Sequence, residues 1–119
     1  MIIVSVSENR DLEKRISITP EISKKYINLG FEVHLSQNYG EHLGFKDEEY
    51  KAQGVKIEKD EKKLLESADV IIQMSLLDEK KTSFLKPNQT FIGVLNPYDN
   101  KDRLDDLVKR NINLFSLEL

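Results

Sequence analysis

The sequence has no cysteine and no tryptophan, and it contains only two histidines. Disulfides and thiolate chemistry are therefore excluded. His34 and His42 are too far apart and too isolated to form a zinc site, so no metal site is expected. No apolar run approaches the ~20 residues of a membrane-spanning helix. The N-terminus lacks the basic-then-apolar layout of a signal peptide, so we expect a cytoplasmic location.

One-sided charge is also absent, because the net charge is −3. A chain without a basic field is not expected to bind nucleic acid or an anionic membrane surface. No Walker loop, nucleophile elbow or G-x-G-x-x-G occurs, so the sequence offers no nucleotide fingerprint and no catalytic residue of its own. Paired lysines such as Lys80 and Lys81 are interpreted as solvated helix faces.

What the sequence does contain is a regular alternation of short apolar runs and amphipathic stretches. The predicted strands are Ile2–Val6, Phe31–Ser36, Val55–Ile57, Val70–Met74, Phe91–Leu95 and Ile112–Leu117. The predicted helices start at Thr19-Pro20, at Asp47 and at Asp60, and two more cover Asp78–Leu85 and Asp102–Arg110. This order predicts an α/β fold of three layers, a mostly parallel twisted sheet with helices on both faces, Rossmann-like or flavodoxin-like.

In such a sheet, ligands bind beyond the carboxyl ends of the strands. The loop Glu8–Arg15 follows the first strand and carries six charges in eight positions. Arg15 is the best candidate there, because a guanidinium can grip a carboxylate or phosphate in two places. The alternative is a surface arginine paired with Glu13 or Glu8. Ser75 and Asn96 also follow strands, although a helix or turn cap is the alternative role for each.

Four motifs occur in order along the chain, in segments 15–21 (RISITPE), 29–33 (LGFEV), 44–50 (GFKDEEY) and 68–74 (ADVIIQM). Together they resemble the N-terminal region of the alanine dehydrogenase and nicotinamide nucleotide transhydrogenase alpha-subunit family. The resemblance runs from Met1 to Leu119 and corresponds to about the first third of a family member.

The departures from the family pattern separate its two branches. Alanine dehydrogenases bind their substrate with an arginine, which Arg15 matches, and with a lysine and a histidine. Ser75 stands at the lysine position, and Asn96, followed by Pro97, stands at the histidine position. This pattern resembles the transhydrogenase branch. Gln73 stands where a lysine is usual in both branches.

The resemblance implies one N-terminal subdomain, residues 1–119, of the NAD(H)-binding peripheral domain of a proton-translocating NAD(P) transhydrogenase. The dinucleotide would be held mainly by a nucleotide-binding subdomain that these residues do not include, so neither cofactor binding nor catalysis is expected of this subdomain alone. The implied partners are NADP-binding and membrane subunits, with a homodimer in the full-length protein and a location at the cytoplasmic side of the inner membrane. Apolar residues are expected on the surface that faces the other subdomain.

Two other functions stay open. The chain could be the substrate domain of an amino-acid dehydrogenase that acts on alanine or on a saccharopine-like substrate, for which Arg15 argues. It could instead be a non-catalytic α/β module that works by protein contact, which the absent nucleotide fingerprint favours.

Overall fold

The structure, a computed structural model, describes residues 1–117. The strands are β1 (Ile2–Ser5), β2 (Glu32–Ser36), β3 (Lys56–Glu58), β4 (Val70–Ile72), β5 (Thr90–Gly93) and β6 (Asn113–Ser116). The helices are α1 (Pro20–Asn28), α2 (Asp47–Ala52), α3 (Glu61–Ser67), α4 (Glu79–Thr82) and α5 (Lys101–Lys109), with a 3₁₀ turn at Glu41–Leu43. Among these described residues, no helix has the length and apolarity needed to cross a membrane.

The six strands form one sheet in the order β3-β2-β1-β4-β5-β6. Every neighbouring pair is parallel, so the predicted α/β sheet is confirmed and is parallel throughout. The order reverses between β1 and β4, where Ile3 is in register with Val70. The crossovers on the two sides of this reversal place their helices on opposite faces of the sheet.

Side-chain caps fix several helix starts as the sequence predicts. Thr19 accepts a hydrogen bond from the Ile22 amide, and Asp60 accepts bonds from the first turn of α3. The prediction that Asp47 caps α2 is wrong, since Lys46 occupies that position. The Asp47 carboxylate instead accepts a bond from the amide of Asn38, because the loop between β2 and α2 folds back toward it.

The first face of the sheet is covered by α1 and α2. Its buried cluster joins Ile3 of β1 to Val33 and Leu35 of β2, and it includes two tyrosines, Tyr39 and Tyr50. The tyrosine rings meet edge-on, with their centroids 6.0 Å apart. This cluster closes the half of the sheet that contains β1, β2 and β3.

The second face is covered by α3, α4 and α5. Its cluster packs Val4 of β1 and Phe91 of β5 against Leu64, Leu65 and Leu107 of the helices. Val108, predicted to point inward with Leu107, is instead exposed, because it lies on the solvent side of α5. The second face is thus buried from β1 across to β6.

The first face is not covered in the same way over β5 and β6. Ile92, Val94, Phe115 and Leu117 point to that side by strand alternation, and they belong to neither buried cluster. Burial falls steadily toward the edge of the sheet, from buried Ile3 to Phe115, which is 59% exposed. We call these four residues the open sheet face.

Candidate functional site at the carboxyl ends of the strands

The Gln73 side chain fills the crevice where the strand order reverses. Its Oε1 accepts a bond from the Val6 amide at 2.7 Å, and its Nε2 donates to the Val6 carbonyl at 3.0 Å. The carboxamide therefore continues the ladder between β1 and β4 beyond the last paired backbone residues. Gln73 is buried, so its hydrogen bonds fix the loop after β1 firmly to β4.

Gln73 also orients the carboxylate of Glu8. Glu8 Oε2 accepts bonds from Gln73 Nε2 at 2.9 Å and from the Met74 amide at 2.8 Å, and Oε1 accepts one from Ser75 Oγ at 3.0 Å. Burial raises the pKa of Glu8 above its ordinary value, while the bonds from Met74 and Ser75 oppose that shift. The site thus holds a half-buried carboxyl group whose proton is easier to retain than in water.

A second buried hydroxyl, on Tyr39, supports the same loop from below. The Tyr39 oxygen accepts bonds from the amides of Ser17 and Ile18 at 3.1 and 3.2 Å. Its own proton then goes to Ser5 Oγ, which lies 2.9 Å away. Tyr39 thereby ties the RISITP segment, which carries Arg15, to the end of β1.

Two clefts open at this end of the sheet. The first, which we call the Glu8 cleft, has a volume of about 490 Å³ and lies toward α4 and α5. Glu8 and Ser75 line it together with two cations, Lys81 of α4 and Arg103 of α5. Lys81 pairs with Glu61 at 3.0 Å and is three-quarters buried, so the interpretation of this lysine as part of a solvated face is wrong. The packing of α4 against α3 turns it inward.

The second, the Arg15 cleft, has a volume of about 580 Å³ and lies on the side of the open sheet face. Arg15, Asn96 and Tyr98 line it, with Val94 and Leu117 at its base. Arg15 Nε donates to Glu13 Oε1 at 2.5 Å, so the guanidinium is paired with Glu13, one of the two partners weighed from the sequence. The pair is exposed on the arginine side, which leaves Arg15 accessible to a ligand.

The structure brings two of the three predicted site residues together. Arg15 and Asn96 share one cleft, whereas Ser75 lines the other. Asn96 has a left-handed φ of 47°, and its carbonyl accepts bonds from the Asp99 and Asn100 amides, so it builds the turn before α5. Ser75 caps no helix and instead donates to Glu8.

Sequence reasoning missed Glu8 and Lys81 as site residues. Glu8 was hidden among the six charges of its loop, although its position three residues after β1 could have indicated it. No sequence signal separates Lys81 from Lys80. His34 lies beside Glu32, and His42 contacts the Lys14 carbonyl. Within residues 1–117, no group of His, Asp or Glu side chains is arranged to hold a metal ion.

A six-stranded parallel sheet with the order 3-2-1-4-5-6, and with a crevice at the point of reversal, defines a doubly wound α/β domain of the Rossmann type. The sequence model of the family "Alanine dehydrogenase/PNT, N-terminal domain" matches residues 5–119. The chain therefore belongs to that family, as the resemblance predicted.

Individual relatives agree with this assignment. The chain is 34% identical to an NAD(P) transhydrogenase alpha subunit of Rickettsia prowazekii, over 99% of this chain and 32% of that protein. It is 27% identical to alanine dehydrogenase 1 of Staphylococcus aureus, over 99% of this chain and 31% of that protein. A transhydrogenase structure from Sinorhizobium meliloti shares the fold, with a TM-score of 0.90, 22% identity, and coverage of 98% of this chain and 34% of the other. The chain thus spans about a third of the length of these relatives.

Proposed function

We propose that this chain is the N-terminal subdomain, residues 1–119, of the NAD(H)-binding peripheral domain of a proton-translocating NAD(P) transhydrogenase. The observation that carries the proposal is the 34% identity to a transhydrogenase alpha subunit along 99% of the chain. In this proposal the carboxyl ends of β1, β4 and β5 form one wall of a cleft. A nucleotide-binding subdomain forms the opposite wall and supplies most contacts to the dinucleotide.

The residues at the crevice fit a wall better than a phosphate cradle. The loop after β1 contains no glycine that would let the backbone approach a pyrophosphate, and the Gln73 side chain occupies the point of reversal. We therefore place the phosphates on the other subdomain. Arg15, Ser75 and Asn96 are the residues that we place toward the nicotinamide end.

The chemistry of the two clefts favours transhydrogenation over amino-acid oxidation. Exchange of a hydride between two nicotinamides moves a hydrogen with its electron pair and requires no proton from the protein. Reductive amination of a keto acid requires proton donors and acceptors. Ser75 offers only a hydroxyl bonded to Glu8, and Asn96 cannot titrate, so the positions of the family's lysine and histidine carry no acid or base.

The proposal extends to partners and location. An NADP-binding subunit would present the acceptor nicotinamide at the mouth of the cleft, and a membrane subunit would couple the exchange to proton movement. The complete protein would form a homodimer and lie on the cytoplasmic side of the inner membrane. These statements follow from the proposed function and are tested with it.

An amino-acid dehydrogenase is the second candidate, because Arg15 is accessible beside Asn96 and the chain matches an alanine dehydrogenase at 27% identity. In that function the guanidinium would leave Glu13 to bind the substrate carboxylate.

The deciding experiment uses the protein encoded by the complete reading frame. We expect it to bind NADH in calorimetry and, with an NADP-binding subunit added, to reduce an NADP analogue. We expect no NADH oxidation with pyruvate and ammonium. Failure to bind NADH would refute the proposal, and keto-acid-dependent oxidation that Arg15→Ala abolishes and Lys14→Ala preserves would establish the second candidate.

A further inference from the structure

The open sheet face is the largest apolar surface that the described fold leaves without a helix. Ile92 and Val94 on β5 and its extension, and Phe115 and Leu117 on β6 and its extension, form two adjacent apolar rows. Phe115 is 59% and Leu117 51% exposed. A parallel sheet is normally buried on both faces, so an apolar face open to water indicates a missing partner.

The geometry indicates what kind of partner fits. Strands lie about 4.8 Å apart, so the strip from β4 to β6 is about 10 Å wide, which is the diameter of one helix with its side chains. Helices α1 and α2 cover β1–β3 on this same face and leave the neighbouring position vacant among residues 1–117. A further helix laid beside α1 would complete the layer.

The relatives indicate where the helix comes from. This chain covers 32% of the transhydrogenase subunit and 31% of the alanine dehydrogenase that it matches. Two thirds of each relative thus lie outside the match and include ample length for one helix. We propose that the open sheet face is covered by an amphipathic helix from the segment of the same polypeptide that follows residue 119.

Such a helix would also wall the Arg15 cleft. Val94 and Leu117 belong to both the open sheet face and the base of that cleft, so a helix packed on them lies directly beside Arg15. The helix would therefore set how far the guanidinium can move from Glu13. This inference depends on the fold and not on the reaction, so it can stand or fall separately from the proposed function.

The test measures thiol reactivity in the complete native protein, with any native cysteines replaced. Phe115→Cys is compared with Val108→Cys, because the two positions are equally exposed, at 59% and 58%, and the chain itself has no cysteine. We expect the thiol at position 115 to react at least about tenfold more slowly than that at 108, because it must wait for local opening. In urea the two rates should be equal. Leu117→Cys replaces Phe115→Cys if the latter does not fold.

A photo-crosslinker on the same thiol identifies the occupant. We expect crosslinks within one polypeptide, to a segment after residue 119, with protection that does not depend on protein concentration. Equal labelling at positions 115 and 108 in the native protein would overturn the proposal. Protection that disappears on dilution, or a crosslink to a second copy or another subunit, would also overturn it.

Discussion

The closed half of the sheet, β1–β3, and the open half, β4–β6, use similar apolar strands but end in different surroundings. The closed half has helices on both faces, and its edge strand β3 presents the charged residues Lys56 and Glu58. The open half has helices on one face only, and its edge strand presents Phe115. Charged edges discourage pairing with other chains. The difference indicates that the closed half is finished as it stands, whereas the open half is built to receive a partner.

Two phenylalanines in the open half should differ most in their contribution to stability. Phe91→Ala, on the covered face of β5, should lower the free energy of unfolding by about 3–5 kcal/mol, because it leaves a cavity in a buried cluster. Phe115→Ala, on the open sheet face, should change it by about 0.5 kcal/mol or less. Urea unfolding of the 119-residue chain measures both. Similar losses for the two variants would mean that the open sheet face is not open.

The two tyrosines of the closed half should also differ. Tyr39→Phe removes the acceptor for two backbone amides and should cost about 1–3 kcal/mol, because both lose their partner. Tyr50→Phe removes one donor to the Ile18 carbonyl and should cost about 1 kcal/mol. Thermal unfolding of both variants gives the order, and a larger loss for Tyr50→Phe would contradict the network assigned to Tyr39.

One position in the closed half should gain stability on mutation. Ser17 Oγ is buried and has no hydrogen-bond partner within residues 1–117. Ser17→Ala should raise the free energy of unfolding by about 1 kcal/mol, because it removes an unpaired hydroxyl. Ser5→Ala is the control and should be destabilising, since Ser5 Oγ bonds to Tyr39 and Gln73. A destabilised Ser17→Ala would show that this hydroxyl has a partner after all.

The smallest predicted effect is a pH dependence at Glu8, on the boundary between the halves. Burial raises the pKa of Glu8, so the folded state binds its proton more tightly than the unfolded state. This contribution is present below the unfolded pKa and is lost as the pH rises through the folded pKa. Glu8→Gln preserves the bond from Met74 and removes the proton equilibrium. The variant should therefore gain stability relative to wild type as the pH rises from about 4.5, which urea titrations at several pH values measure. A constant difference would contradict the raised pKa.

Much of the fold could be predicted because its signals are local. Thr19 and Asp60 announce helix starts by their own side chains, and alternating apolar residues announce strands. The strands are shorter than predicted, as at β4, which ends at Ile72. There the ladder continues through the Gln73 side chain, and no strand pattern reveals that substitution.

The site was harder to predict because its arrangement depends on distant contacts. Arg15 could be singled out as a loop guanidinium after a strand, but its place beside Asn96 depends on the approach of β5. Glu8 acquires its environment from Met74 and Ser75, which lie 66 and 67 residues away in the chain. Partners at such separations leave no trace in a local pattern.

The central position of β1 has a consequence for synthesis on the ribosome. This strand is made first, yet it needs β2 on one side and β4 on the other. Its Ile3 side can be enclosed once the chain has reached β3, whereas its Val4 side waits for Leu64 and Ile71. Because domains begin to fold while they are translated, the nascent chain passes through a stage in which its oldest segment is only half protected. Chaperones that bind emerging polypeptides would find their target in that interval.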